Sequence, residues 1–238
     1  MKKIYTNFVI TISIVGLMIA SILYLMKNSL FTVDWFSTNY LNRVMVYQIK
    51  TLVLSLVIVF VTALQTEFQS IRLLSIKRID GEVIPEPWIG ITKKNKDSWK
   101  KLGLNFTIII SVVTAVAIYF QVYKNGVIQT LTLANFLLIV LFALVNSFVE
   151  EVTFRHTFAS IVEYHKLNPN ISKALSMIIF GGVHYLGTPG KIPGVILAGF
   201  LGWFLSKSIH ETKGFFWAWL IHFMQDVIIM SALFLTLN

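Results

Sequence analysis

The chain contains no cysteine. That excludes a disulfide framework, a thiolate nucleophile and a Cys-ligated zinc. Charge is scarce: only 13% of the 238 residues are Asp, Glu, Lys or Arg, about half the share in a soluble domain. Internal repeats and low-complexity segments are absent. So are paired broken helices of the kind that build transporter sites, which disfavours a proton- or ion-coupled transporter. What fills the chain instead is apolar: 56% of residues are hydrophobic and the mean hydropathy is +0.74. These values predict a polytopic membrane protein folded as one all-α transmembrane helical bundle.

Apolar windows long enough to cross a bilayer recur along the sequence. They predict about seven spans: 6–26, 46–66, 102–123, from 128 into a charged cluster at 150, 171–187, 192–209 and 215–237. Met1-Lys2-Lys3 precedes the first, which is long and has no small-x-small cleavage site after it, so it is read as an uncleaved span. Residues 67–101 form the longest polar stretch, with Pro85 and Pro87 breaking any long helix. They are expected to be a surface loop with a short interfacial helix at 67–78. Two regions follow: 1–127, N-terminal spans plus this basic loop, and 128–238, the transmembrane core.

The formal net charge of +9 is explained by topology rather than by nucleic acid. With a cytoplasmic N-terminus, the cytoplasmic segments hold Lys2, Lys3, eight basic residues of the loop, Arg155, Lys166, Lys173, Lys207 and Lys213. The outer segments hold Lys27, Arg43, Lys124 and Lys191, and Lys50 lies inside a span. That asymmetry follows the positive-inside rule. A basic cytoplasmic face would favour anionic lipids. In span six, Gly194, Ala198 and Gly202 recur every four residues, a pattern suited to close helix packing.

Three polar groups interrupt the apolar spans. Glu150, Glu151 and Arg155 follow a charge-free run from Gly126 to Val149; His184 lies in Phe180-Gly181-Gly182-Val183-His184; His222 precedes Asp226 by four residues. A charge at a membrane helix centre costs roughly 2.5–3.5 kcal/mol, so such residues mark functional sites. Asn168-Pro169 is a helix-breaking turn, with Glu150 and His184 at nearly equal offsets on either side of it. In an antiparallel pair, equal offsets mean equal depth. Glu151 and Arg155 share a helix face and can form a structural ion pair. Glu150 points about 100° away. Asp226 shares a face with His222 and can orient it. Gly181 and Gly182 leave room for a water or a peptide backbone.

In this order and spacing, Glu150-Glu151-xxx-Arg155, Phe180-xxx-His184 and His222-xxx-Asp226 resemble the signature of the CPBP (CAAX protease and bacteriocin-processing, or Abi) intramembrane proteases. That group includes the type II CAAX prenyl endopeptidases. The resemblance covers about 128–238 and implies a helical bundle whose site opens toward the cytoplasm.

Peptide hydrolysis needs an activated water and an oxyanion stabiliser. Glu150 is the candidate general base, with His184 sharing its water. The resemblance assigns His222 and Asp226 to the oxyanion. An ionised Asp has no donor, so Asp226 helps directly only when protonated, or indirectly by keeping His222 positive. The alternative is a zinc site made of Glu150, His184, His222 and Asp226; the metal-free reading is preferred, with no other cofactor. Members of this group are associated with prenylated C-terminal peptides or with bacteriocin immunity and pheromone-peptide processing. The expected partner is therefore a peptide or lipidated protein in a bacterial cell membrane. A rival reading is a non-catalytic immunity or scaffold protein that keeps the bundle.

Overall fold

A computed structural model describes residues 1–28, 32–36, 38–92, 98–121, 130–187 and 190–236. The expected boundary at 127/128, the span ends at 123 and 237, and Lys93, Lys94, Lys96 and Lys124 lie outside the described residues. Among the described residues there are eight α-helices: α1 (Lys2–Lys27), α2 (Asn39–Gln65), α3 (Trp99–Gln121), α4 (Leu133–Glu151), α5 (Thr157–Tyr164), α6 (Asn170–Val183), α7 (Lys191–Thr212) and α8 (Phe216–Leu235). A single π-helical turn, Val152–His156, joins α4 to α5. Among the described residues the only extended pairing is two isolated bridges, Glu82 with Ser98 and Glu86 with Ile91.

Among the described residues, six helices are long and apolar enough to cross a membrane, with α4, the π turn and α5 counted as one of 32 residues. The remaining expected span, 171–187, is the short α6. Its 14 residues reach about 21 Å, less than the roughly 30 Å of a hydrocarbon core. The chain is an integral membrane protein.

Local chemistry sets the helix ends. Thr38 and Thr132 cap α2 and α4, their hydroxyls accepting from Leu41 N and Asn135 N. α2 therefore starts seven residues before the expected apolar window, and α4 starts after 128. The turn after α5 falls at the expected place, with Lys166 in left-handed backbone at φ 52°. α6 then packs along α7 through glycine. A Cβ on Gly202 would stand 2.5 Å from Ser176 O, and one on Gly181 would stand 2.8 Å from Val195 O. Gly181 is thus consumed by helix packing, whereas Gly182 faces open space.

The helices group their termini at two ends. Lys3 Nζ bonds Glu67 and the Tyr164 hydroxyl, which brings the start of α1, the end of α2 and the end of α5 together. His210 Nδ1 meets Glu163 at 2.7 Å, and Ser172 also contacts His210. These contacts add α6 and α7 to the same end. The described part of 67–98 is not merely a surface loop, although its 3₁₀ turn at Gln69–Leu74 falls where a short helix was expected. It is fastened over this end. Trp217 Nε1 donates to Ile79 O, Phe215 N to Ser75 O, and Trp99 Nε1 to Glu211. The fully buried Lys207 pairs with Glu211 and donates to Ile84 O.

Candidate active site

From Glu151 to Val162 every residue is buried, so this stretch is the axis of the bundle. The π turn within it makes the i−5 bond from Thr157 N to Val152 O, and the Thr157 hydroxyl donates to the same carbonyl at 2.8 Å. Such turns are frequent at functional sites. Glu150 lies at the upstream edge of this enclosed stretch.

The expected site residues converge. Glu150, His184, His222 and Asp226, from three separate helical segments, all line one cavity of about 890 Å³, within the range of ligand pockets. His222 Nε2 lies 3.5 Å from Glu150 Oε2 and 3.6 Å from Asp226 Oδ1. Its Nδ1 meets Glu151 Oε1 at 2.6 Å. A carboxylate only accepts, so Nδ1 carries a proton and Nε2 is the atom left for chemistry. By the same reasoning His184 Nδ1 donates to Phe180 O at 3.0 Å, which frees its Nε2.

The orienting partner of His222 is therefore Glu151, not Asp226. Helix spacing alone pairs His222 with Asp226, but 3.6 Å is too long for a hydrogen bond. Glu151 and Arg155 do pair, at 3.1 Å, with both side chains fully buried. The Arg155 guanidinium also stacks on the Phe180 ring at 3.6 Å. Phe180 in turn contacts the rings of His184 and His222, so Arg155, Glu151 and Phe180 form the bed on which both imidazoles rest.

Sequence reasoning missed Asn146. Its Nδ2 donates to Glu150 Oε1 at 3.1 Å and to Asp226 Oδ2 at 3.0 Å, bridging the two carboxylates. Gln48 from α2 approaches its Oδ1 at 3.5 Å. An amide one helical turn before Glu150 in a charge-free run was the available signal. Among the described residues, no three His, Asp or Glu side chains are arranged to hold a metal ion. The cause is visible: Asn146 N–H, not a vacant oxygen-lined space, lies between Glu150 and Asp226. The set Glu150, His184, His222 and Asp226 does not fit a metal centre in this arrangement.

A family model described as type II CAAX prenyl endopeptidase Rce1-like matches residues 130–228. That region is similar to the type II CAAX prenyl endopeptidases. The match runs from α4 into α8 and so contains Glu150, His184, His222 and Asp226 together with Glu151, Arg155 and Asn146. The chain matches no curated protein and no solved structure.

The matched region does not supply the whole cavity. α1, α2 and α3 add Ile22, Tyr47, Gln48, Lys50, Phe106 and Ile110, among others. Nor does the cavity run toward the loop 67–98, as the expectation of a site opening to the basic end requires. No described residue of 51–105, 151–179 or 202–221 lines it. Instead its lining continues to Met26, Asn28, Arg43 and Leu233, at the opposite end of the helices. The small-residue stripe divides in the same way: Gly202 packs on α6, while Gly194 and Ala198 line the cavity.

Proposed function

We propose that this chain is an intramembrane endopeptidase that hydrolyses a peptide bond of a membrane-associated peptide with a Glu150-activated water and no metal. The convergence of Glu150, His184 and the Glu151-held His222 on one largely apolar cavity carries this reading. Glu150 Oε2 and His184 Nε2 would share the water. Glu150 takes its proton as the hydroxide oxygen bonds to the scissile carbonyl carbon. The resulting oxyanion is met by a proton on His222 Nε2, fixed in direction by the Glu151 bond to Nδ1. When the C–N bond breaks, Glu150 returns its proton to the leaving amine. Asn146 holds both carboxylates in place, and Asp226, when ionised, acts through the charge it presents to His222.

The family description points to a prenylated C-terminal peptide. The resemblance to bacteriocin-processing proteins favours a bacteriocin or pheromone-type peptide in a bacterial membrane. Both are amphiphilic peptides suited to an apolar cavity. The discriminating experiment is peptide analysis of membranes carrying the native chain or Glu150→Gln, followed by cleavage of the identified peptide in vesicles with and without a chelator. Turnover should fall about 10²–10⁴-fold in Glu150→Gln, the usual worth of a general base, and survive chelation. Full activity or an intact immunity phenotype in a properly inserted Glu150→Gln protein would establish the scaffold reading instead. Loss on chelation, restored by zinc, would refute the metal-free mechanism.

A further inference from the structure

One intramembrane cation has no part in the reaction described above. Lys50 lies well inside the 27-residue α2, about 16 Å from its start. That is too deep for a four-carbon stem to carry the ammonium to either end of the helix. A charge at such depth faces a protein or water-filled interior, and Lys50 lines the active-site cavity.

α2 and α4 run side by side in the same direction. Leu41 clusters with Ile139, and further along Gln48 Nε2 reaches Asn146 Oδ1 at 3.5 Å. Both pairs have the same register. In that register Lys50 is level with Phe148, about 3 Å short of the depth of Glu150. Arg43 and Tyr47 fall on the same helix face as Lys50 and also line the cavity. The other walls, at Ile110, Val113, Leu197 and Ile229, are apolar. One wall is therefore a polar rail: an exposed guanidinium at the rim, a phenol, and an ammonium near the depth of the reacting atoms.

Such a rail answers an electrostatic difficulty. Glu150 and Asp226 line the same cavity and repel any anion brought near them, strongly so in a low dielectric. Asn146 donates to both carboxylates, and His222 lies beside both. A substrate anion needs a cation of its own.

We propose that Lys50, with Arg43, is a carboxylate-binding subsite for the substrate. This deepens the protease reading of the same cavity and rests on it. In a peptide the anion is the terminal carboxylate or an Asp or Glu side chain. Both cations lie outside the matched residues 130–228, so the N-terminal helices set this part of the specificity.

The test measures binding to purified protein in detergent, in the native form and with Glu150→Gln to stop turnover. The probe is a dansylated, acylated trileucine in three forms: the free acid, its C-terminal amide, and an amide with aspartate at the central place. The acid should bind about tenfold or more tightly than the plain amide, the usual worth of a hydrogen bond to a charged group. Lys50→Gln should erase most of that preference and Lys50→Arg should keep it. If Lys50→Gln fails to fold, Arg43→Gln at the exposed rim carries the same comparison. A tight aspartyl amide extends the subsite to side-chain carboxylates, and a weak one restricts it to the terminus. Failure to bind any form, equal binding of acid and plain amide, or a preference untouched in Lys50→Gln/Arg43→Gln overturns the proposal. Binding is independent of turnover. Loss of the preference leaves the protease standing with a neutral substrate, whereas a full preference in a protein that cleaves nothing keeps the subsite and removes the protease.

Discussion

Glu151 is the residue whose replacement best separates support of the fold from support of the chemistry. It accepts from His222 Nδ1 at 2.6 Å and pairs with Arg155 at 3.1 Å, with no solvent reaching either Glu151 or Arg155. Glu151→Leu leaves Arg155 as an uncompensated buried cation, and breaking such a pair costs about 3–5 kcal/mol. Removing Arg155 as well, in Glu151→Leu/Arg155→Leu, takes away that charge and should recover most of the loss. What persists is a buried His222 N–H without an acceptor, worth about 1–3 kcal/mol. Activity should not follow stability. In the double variant His222 has lost the group that directs Nε2, and misplacement of a catalytic group costs on the order of 10²-fold. The assay is thermal unfolding in detergent beside peptide cleavage in vesicles, for both single variants and the double variant. A double variant that regains stability and native turnover together would show that Glu151 and Arg155 are a structural pair only, with no part in aiming the His222 ring.

Asn146→Leu removes the donor shared by Glu150 and Asp226. Cleavage should fall at least tenfold, with Asn146→Asp worse than Asn146→Leu because it adds a third carboxylate at that point; equal activity in all three forms would exclude a positioning role. Gly202→Ala places a methyl 2.5 Å from Ser176 O, so α6 and α7 must separate. A stability loss of about 1–3 kcal/mol is expected from such overpacking, read as a lowered midpoint in detergent, while Gly182→Ala, with nothing within 4 Å of its Cβ, should change little. Lys207→Met leaves Glu211 buried without its ammonium partner and should loosen the cap, seen as faster proteolysis within 75–92.

Which side chains share the cavity was legible in the sequence because two periodic quantities sufficed. Hydropathy located the spans, and counting residues from Asn168 put Glu150 and His184 at one depth. How each helix is rotated was not legible, since rotation is set by packing. Gly181 and Gly202 bring α6 against α7, and the π turn shifts the face that Arg155 presents. That is why His222 meets Glu151 from another helix rather than Asp226 one turn along its own. Asn146 went unread for a related cause: an uncharged amide carries no burial penalty large enough to stand out in an apolar run. The direction of the cavity depends on where 67–98 folds back, and its contacts, Ser75 to Phe215 and Ile79 to Trp217, join segments some 140 residues apart.

The place of Glu150 on its helix explains why the cavity ends where it does. Upstream, α4 has neighbours on one side only, and Leu133, Leu137, Leu141 and Leu144 are exposed. Downstream, the twelve residues from Glu151 are enclosed on every side, and the Ser176 hydroxyl even donates to Phe154 O at 2.7 Å. Glu150, with 18% of its side chain exposed, is the last residue that still reaches open space, and Glu151 is the first that does not. Two adjacent carboxylates thereby acquire opposite duties from one helical step: the first is free to meet a water, and the second is fixed between a guanidinium and an imidazole. A one-residue shift of the pair along the helix would exchange those environments, leaving the water-facing position to Val149 or giving His222 no acceptor. On the proposed mechanism, the Glu-Glu dipeptide is thus a geometric requirement of placing the reaction at the boundary between an open and a closed half of the same bundle.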